Sequence, residues 1–298
     1  MSRNVAPFPQ QGARSVEADG PISASDPQGS ASALGTPTPE EEDPGHRRRR
    51  GIYLLPNSFT AAALFCGFYA IVMAMSGRYD AAATAIFAAM VLDSLDGRVA
   101  RMTNTQSEFG AQFDSLADMV SFGAAPALII YEWSLRGLGK LGWLAAFVYC
   151  AGAALRLARF NTNVAVIDKR YFQGLPSPAA AALVAGFLWI MTDAGVQGAH
   201  VSWFSFVITV FAGLTMVTNV PFYSFKDVSI RRSVPFISIF LIVLLIGLIA
   251  YQPPLVLFGL FVLYGLSGYA LYVWHRLKGR PVSVIATSVD EPDERGLH

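Results

Sequence analysis

The chain has 298 residues with 22 Lys+Arg against 21 Asp+Glu, a net charge of +1, 53% hydrophobic residues and only 14% charged ones. A soluble domain carries roughly 25% charged residues, and nearly half of the charges present here crowd into residues 1–50 and 276–298. That distribution argues against an ordinary soluble enzyme, and near-neutrality leaves no broad basic footprint for nucleic acid.

Residues 1–46 are rich in Pro, Gly, Ser and Ala, with one acidic run from Glu40 to Asp43. They hold too little apolar surface to offset the cost of ordering, so a disordered tail is expected. No apolar segment follows Met1, which argues against a cleaved secretory signal. The tail ends in Arg47–Arg50 just before an apolar run, the usual place of a basic cluster at an anionic cytoplasmic leaflet.

Apolar stretches long enough to cross a bilayer then recur at 52–76, 80–101, 110–132, 141–160, 177–194, 201–219, 234–250 and 255–275. The expected fold is all-α, a polytopic membrane bundle of about eight transmembrane helices with both termini on one side. With the N-terminus inside, 16 Lys and Arg fall on the cytoplasmic side against three (Arg78, Arg136, Lys140) on the other. The positive-inside rule supports that orientation. Cys66 and Cys150 lie in apolar runs without metal or redox spacing, and the four His are too scattered for a zinc site.

One region departs from this apolar background. Four aspartates, Asp93, Asp96, Asp114 and Asp118, fall within 26 residues at the end of one expected helix and the start of the next. An ionised Asp near a membrane helix centre costs roughly 2.5–3.5 kcal/mol, and four together repel one another. Asp93, Gly97 and Arg101 repeat every four residues, as do Gly110, Asp114 and Asp118, so each set forms a stripe on one helix face. A short polar turn from Thr103 to Glu108 joins the two helices, which places carboxylate against carboxylate. Such a group suits hard divalent cations, which take oxygen ligands and complete their shells with substrate phosphates. An intramembrane charge network or a proton path is the structural alternative.

The spacing D-x2-D-G-x2-A-R-x8-G-x3-D-x3-D, complete from Asp93 to Asp118, resembles the signature of the CDP-alcohol phosphatidyltransferase family. The segments Asp118–Pro126, Leu155–Asn161, Gly174–Pro178 and Tyr223–Asp227 are similar to its bacterial phosphatidylserine synthase branch. Leu55–Thr60 is similar to the family's first-helix segment. The resemblance covers about residues 51–230, read as the catalytic core. Two further helices at 231–275 and a cytoplasmic tail at 276–298 lie beyond it, and residues 1–50 before it.

The resemblance implies an enzyme of phospholipid biosynthesis that transfers the phosphatidyl group from CDP-diacylglycerol to L-serine, releasing CMP. It implies two divalent ions, Mg²⁺ or Mn²⁺: Asp93, Asp96 and Asp114 hold one, and Asp118 joins in holding the second and acts as general base. Pro56, Asn57, Gly97, Arg101, Ser107 and Gly110 line the CDP pocket. It also implies membrane lipids as surroundings, a bacterial inner membrane with the site on the cytoplasmic side, and a homodimer as a common state. The zwitterionic acceptor needs a cation for its carboxylate and an acceptor for its ammonium; Ser121, Arg156, Arg159 and Asn161 are the candidates, with helix-end anchoring as the bland alternative for the arginines. Competing readings are the same transfer to glycerol 3-phosphate, inositol phosphate or choline, an intramembrane prenyltransferase, and a cation or proton transporter. Pro126, eight residues after Asp118, is expected to kink its helix.

Overall fold

The computed structural model describes residues 44–103, 105, 107–162, 171–223 and 236–278. Readings that concern residues 1–43 and 279–298, the side chains of Arg47–Arg50, or Lys169, Arg170, Lys226, Arg231 and Arg232 lie outside the described residues.

Helix α1 (Pro44–Met75) starts on a proline, whose fixed φ suits a first helical position, and it includes the Arg47–Arg50 run. A turn with Gly77 at φ 72° reverses the chain into α2 (Tyr79–Thr103), which packs along α1. Helix α2 is closed by the Thr105 N–H donating to Ala100 O, and the hydroxyls of Thr103 and Thr105 meet at 2.7 Å. Ser107 then caps α3 (Glu108–Asp118), its Oγ accepting from the Gly110 N–H at 3.0 Å.

A π-helical turn (Met119–Ala124) and α4 (Ala125–Trp133) continue α3 without a break. Beyond Gly139, at φ 57°, runs α5 (Lys140–Thr162). The rest is α6 (Ser177–Asp193), α7 (Ser202–Val217), α8 (Phe236–Tyr251) and α9 (Pro253–Leu277). Two three-residue strands, β1 (Tyr171–Gln173) and β2 (Pro221–Tyr223), pair antiparallel with Phe172 opposite Phe222.

Each of the eight expected apolar stretches is helical over its described residues, and among the described residues five helical segments are long and apolar enough to cross a membrane: 56–75, 108–133, 140–162, 198–217 and 253–274. The other three differ for visible reasons. Helix α2 carries the charges of Asp93, Asp96, Arg98 and Arg101, while α6 and α8 have only 17 and 16 residues. Helix α6 is the centre of the bundle, buried from Ala179 through Leu188, and α8 packs on α9 with its other apolar side chains outward.

Pro126 sits in the first turn of α4, and the departure from α geometry precedes it as the π turn rather than following as a kink. Proline has no N–H for the carbonyl four residues back. That carbonyl belongs to Phe122, and the fully buried Tyr149 hydroxyl donates to it at 3.0 Å.

Small residues let the helices approach closely, the usual device where lipid removes the hydrophobic drive between them. A Cβ on Gly67 of α1 would run into Ser121 of the π turn, and one on Gly152 of α5 into the Gly213 carbonyl of α7. Gly213 in turn lies against Tyr149, where an added Cβ would stand 2.7 Å from the Tyr149 Cα. Gly259 has open space at the same position. Gly152→Ala therefore lowers the melting temperature in detergent by several degrees, as an overpacking cost of about 1–3 kcal/mol requires, and Gly259→Ala does not lower it. Equal melting of the two variants would contradict the close α5–α7 approach.

Candidate active site

The α2 stripe is longer than the repeat every four residues: Asp93, Asp96, Gly97, Ala100 and Arg101 fall at i, i+3, i+4, i+7 and i+8, one helical face. On α3 the matching face holds Gly110, Ala111, Asp114 and Asp118, and α1 adds Pro56, Asn57 and Thr60. One carboxylate oxygen from each of Asp93, Asp114 and Asp118 lies within 4.8 Å of the others, all three residues being half-buried. No ion pair among the described residues holds any of the four aspartates.

Asp96 stands beside this triad rather than in it. It is 5% exposed, and its Oδ2 accepts from the Thr60 Oγ1 hydroxyl at 2.7 Å. Asp96 and Asp114 both line a cavity of about 230 Å³, together with Pro56, Asn57, Gly97, Arg101, Ser107 and Gly110. All six residues expected around a CDP group thus meet in one cavity, and Asp114 joins it to the triad. Gly97 faces open space, whereas a Cβ on Gly110 would stand 3.1 Å from Ser107 Oγ and 3.3 Å from Asn57 Oδ1, inside that cradle.

The four residues expected at the acceptor separate. Ser121 is buried, its hydroxyl donating to Ala63 O at 3.1 Å in the crossing with α1. Arg159 donates from Nη1 to Val217 O, the last residue of α7, at 3.3 Å, a cation against a helix C-terminus. Asn161 donates from Nδ2 to Ser115 Oγ at 3.1 Å and ties α5 to α3. Arg156 differs from these: Nη1 donates to Ser177 Oγ at 3.0 Å, Nε is buried without a partner, and Asp118 is within its electrostatic range.

Thr60, Ala100, Thr105 and Ala111 also line the cavity and were not among the expected residues. Thr60 had a signal, since it lies four residues after Pro56 and so on the same face. Thr105 had none, because it enters through the turn that closes α2.

The triad offers three oxygen donors, and Asp114 Oδ1 is buried without a hydrogen-bond partner. A buried, unpaired carboxylate oxygen is costly, and a divalent cation satisfies it, so the donor set fits a hard ion. With protein stripped by chelator, Mg²⁺ or Mn²⁺ at a hundredfold excess over its Kd stabilises by about 2.7 kcal/mol, read as a higher melting temperature. Asp114→Asn loses most of that shift; an undiminished shift would place the ion elsewhere.

Similarity to known proteins bears on this geometry. The family model described as CDP-alcohol phosphatidyltransferase matches residues 53–218. A CDP-diacylglycerol–serine O-phosphatidyltransferase of Helicobacter pylori is 38% identical over 223 residues, covering 72% of this chain and 90% of that protein. Its counterpart in Mycobacterium leprae is 31% identical over 229 residues, covering 74% of this chain and 75% of that protein. In Methanocaldococcus jannaschii a protein of the same name is 34% identical over 142 residues, covering 48% of this chain and 63% of its own. The matched segment contains all four aspartates and the cavity they adjoin, and the chain belongs to the CDP-alcohol phosphatidyltransferase family.

Proposed function

We propose that this protein transfers the phosphatidyl group of CDP-diacylglycerol to the hydroxyl of L-serine, giving phosphatidylserine and CMP. The observation that carries the reading is the junction at Asp114, where an all-oxygen carboxylate triad meets a small cavity built from the ends of three helices. Family membership supplies the reaction class, and the names of the relatives support serine as acceptor.

The cavity is small beside the roughly 300–1,000 Å³ of ordinary ligand pockets, which suits the polar end of the donor and leaves its acyl chains to the bilayer. Asn57, Ser107 and Arg101 offer polar groups around it, and the N-terminal turn of α3 forms one wall. That helix end carries partial positive charge, which favours a pyrophosphate. Asp93, Asp114 and Asp118 would hold a divalent cation, Mg²⁺ or Mn²⁺ in this reading, with Asp96 beside them on the cavity side. When bound, such an ion supplies positive charge to the phosphate oxygens and to the leaving group.

Asp118 is the base in this reading. It takes the proton of the serine hydroxyl as that oxygen bonds to the phosphorus bearing diacylglycerol. The bond from that phosphorus to the bridging oxygen breaks, and CMP leaves with that oxygen. Arg156, whose buried Nε–H has no hydrogen-bond partner, is the cation on the acceptor side in this reading.

The cavity lies at the end of the bundle nearest Arg47–Arg50, since Pro56 and Asn57 follow that run directly on α1. With those arginines inside, the reading places the site on the cytoplasmic side of a bacterial inner membrane. A homodimer belongs to the same reading and is checked by mass in detergent.

In detergent with CDP-diacylglycerol and Mg²⁺ or Mn²⁺, CMP appears only when serine is present and stops on adding EDTA. Asp118→Asn lowers turnover by at least about a hundredfold, as loss of a general base does, while the protein still binds CDP. CMP release with glycerol 3-phosphate, inositol phosphate or choline and not with serine would overturn the acceptor; a fully active Asp118→Asn enzyme would overturn the base.

A further inference from the structure

We infer that Ser177 is a positioning residue that sets selectivity for the acceptor's carboxylate, by fixing Arg156 so that its Nε edge stays free. The inference rests on the proposed transfer to serine and deepens it. Arg156 and Arg159 lie three residues apart near the end of α5, on one helix face, yet their environments differ. The Arg159 Nη1 is spent on the α7 carbonyl end. The Arg156 Nη1 is engaged by a side chain, and its Nε remains without a partner although buried.

A guanidinium offers its donors in a planar fork, and the two-donor edge that includes Nε–H matches the two oxygens of a carboxylate. Nη1 lies away from that edge. A hydrogen bond at Nη1 therefore holds the plane while leaving Nε unpaired, and a buried unpaired donor of this kind is costly unless a ligand completes it.

Ser177 can hold the plane because it is itself fixed. It is fully buried at the first position of α6. The chain reaches it through Gly174, at φ 74°, where a side chain would meet the Met216 carbonyl. The Gly174 N–H donates to Val220 O at 2.9 Å and the Leu175 N–H to Thr215 O at 3.2 Å. Thr215 in turn shares a 2.7 Å hydrogen bond between its Oγ1 and the Tyr269 hydroxyl of α9. These bonds tie the segment leading into α6 to the end of α7 and, through Thr215, to α9.

The test compares acceptors with and without the carboxylate. Ethanolamine keeps the hydroxyl and ammonium of serine and lacks only the carboxylate. In Ser177→Ala the KM for serine rises about tenfold, with kcat and the KM for CDP-diacylglycerol within about twofold of the parent. The preference for serine over ethanolamine, as kcat/KM or as competition against serine, falls by a similar factor. Ser177→Thr keeps the hydroxyl and restores the preference, which also separates the effect from a folding defect in the alanine variant. A loss shared equally by serine and ethanolamine, or an unchanged preference in a folded Ser177→Ala protein, would overturn the role of Ser177. Parent enzyme that releases CMP without regard to serine would overturn the transfer reading as well.

Discussion

An ionised carboxylate at the centre of a membrane helix costs about 2.5–3.5 kcal/mol, and here three reach within 4.8 Å of one another with a fourth alongside. Their mutual repulsion is a constraint that the surrounding structure has to answer. Asp96 and Asp114 lie toward the connected ends of α2 and α3, whereas Asp93 and Asp118 lie deeper, Asp118 well inside the continuous 108–133 segment. The Thr60 hydroxyl takes up part of Asp96, but Asp114 Oδ1 is left buried and unpaired. A site arranged this way is complete only with positive charge brought from outside, which is the condition under which an oxygen-ligated cation and a pyrophosphate bind together.

Holding like charges together requires rigid supports, and the supports are close helix crossings. Gly67 admits Ser121 against α1, and Gly152 and Gly213 bring α5 and α7 together around Tyr149. Tyr149 satisfies the Phe122 carbonyl that Pro126 cannot serve, so the wide turn directly after Asp118 is tied on one side to α1 and on the other to α5. Single π turns inside α-helices often occur at functional sites, and this one follows the proposed base within one residue. Its two ties give the turn a fixed shape, and with it the direction from which Asp118 enters the triad.

The cavity proposed for the donor was legible in the sequence because it is local. Two stripes at helical spacing, joined by a short turn, bring residues 93–118 together without any knowledge of the wider fold, and the six expected cavity residues do share one cavity. What the sequence did not reveal depends on packing between distant segments. Ser121, Arg159 and Asn161 are engaged by Ala63, Val217 and Ser115, partners 46 to 58 residues away, and no spacing rule points to such pairings. The Thr60 hydroxyl on Asp96, from a residue 36 positions away on α1, is another such pairing. Of the three stretches shorter or more charged than a simple span, α6 is surrounded by protein and α2 carries site charges, while α8 is short and mostly exposed.

The two halves of the site therefore differ in origin. The donor half comes from α1, α2 and α3, consecutive in the chain and inside the matched family segment. The proposed acceptor half depends on Arg156 from α5, Ser177 from α6, and hydrogen bonds that reach α7 and α9. Donor geometry is set by helical periodicity, so moving one aspartate off its stripe disrupts the whole group. Acceptor geometry is set by a few hydrogen bonds between separate elements, and one side chain can change there without disturbing the carboxylates. That separation lets the donor chemistry stay fixed while the choice of alcohol is adjusted around Arg156.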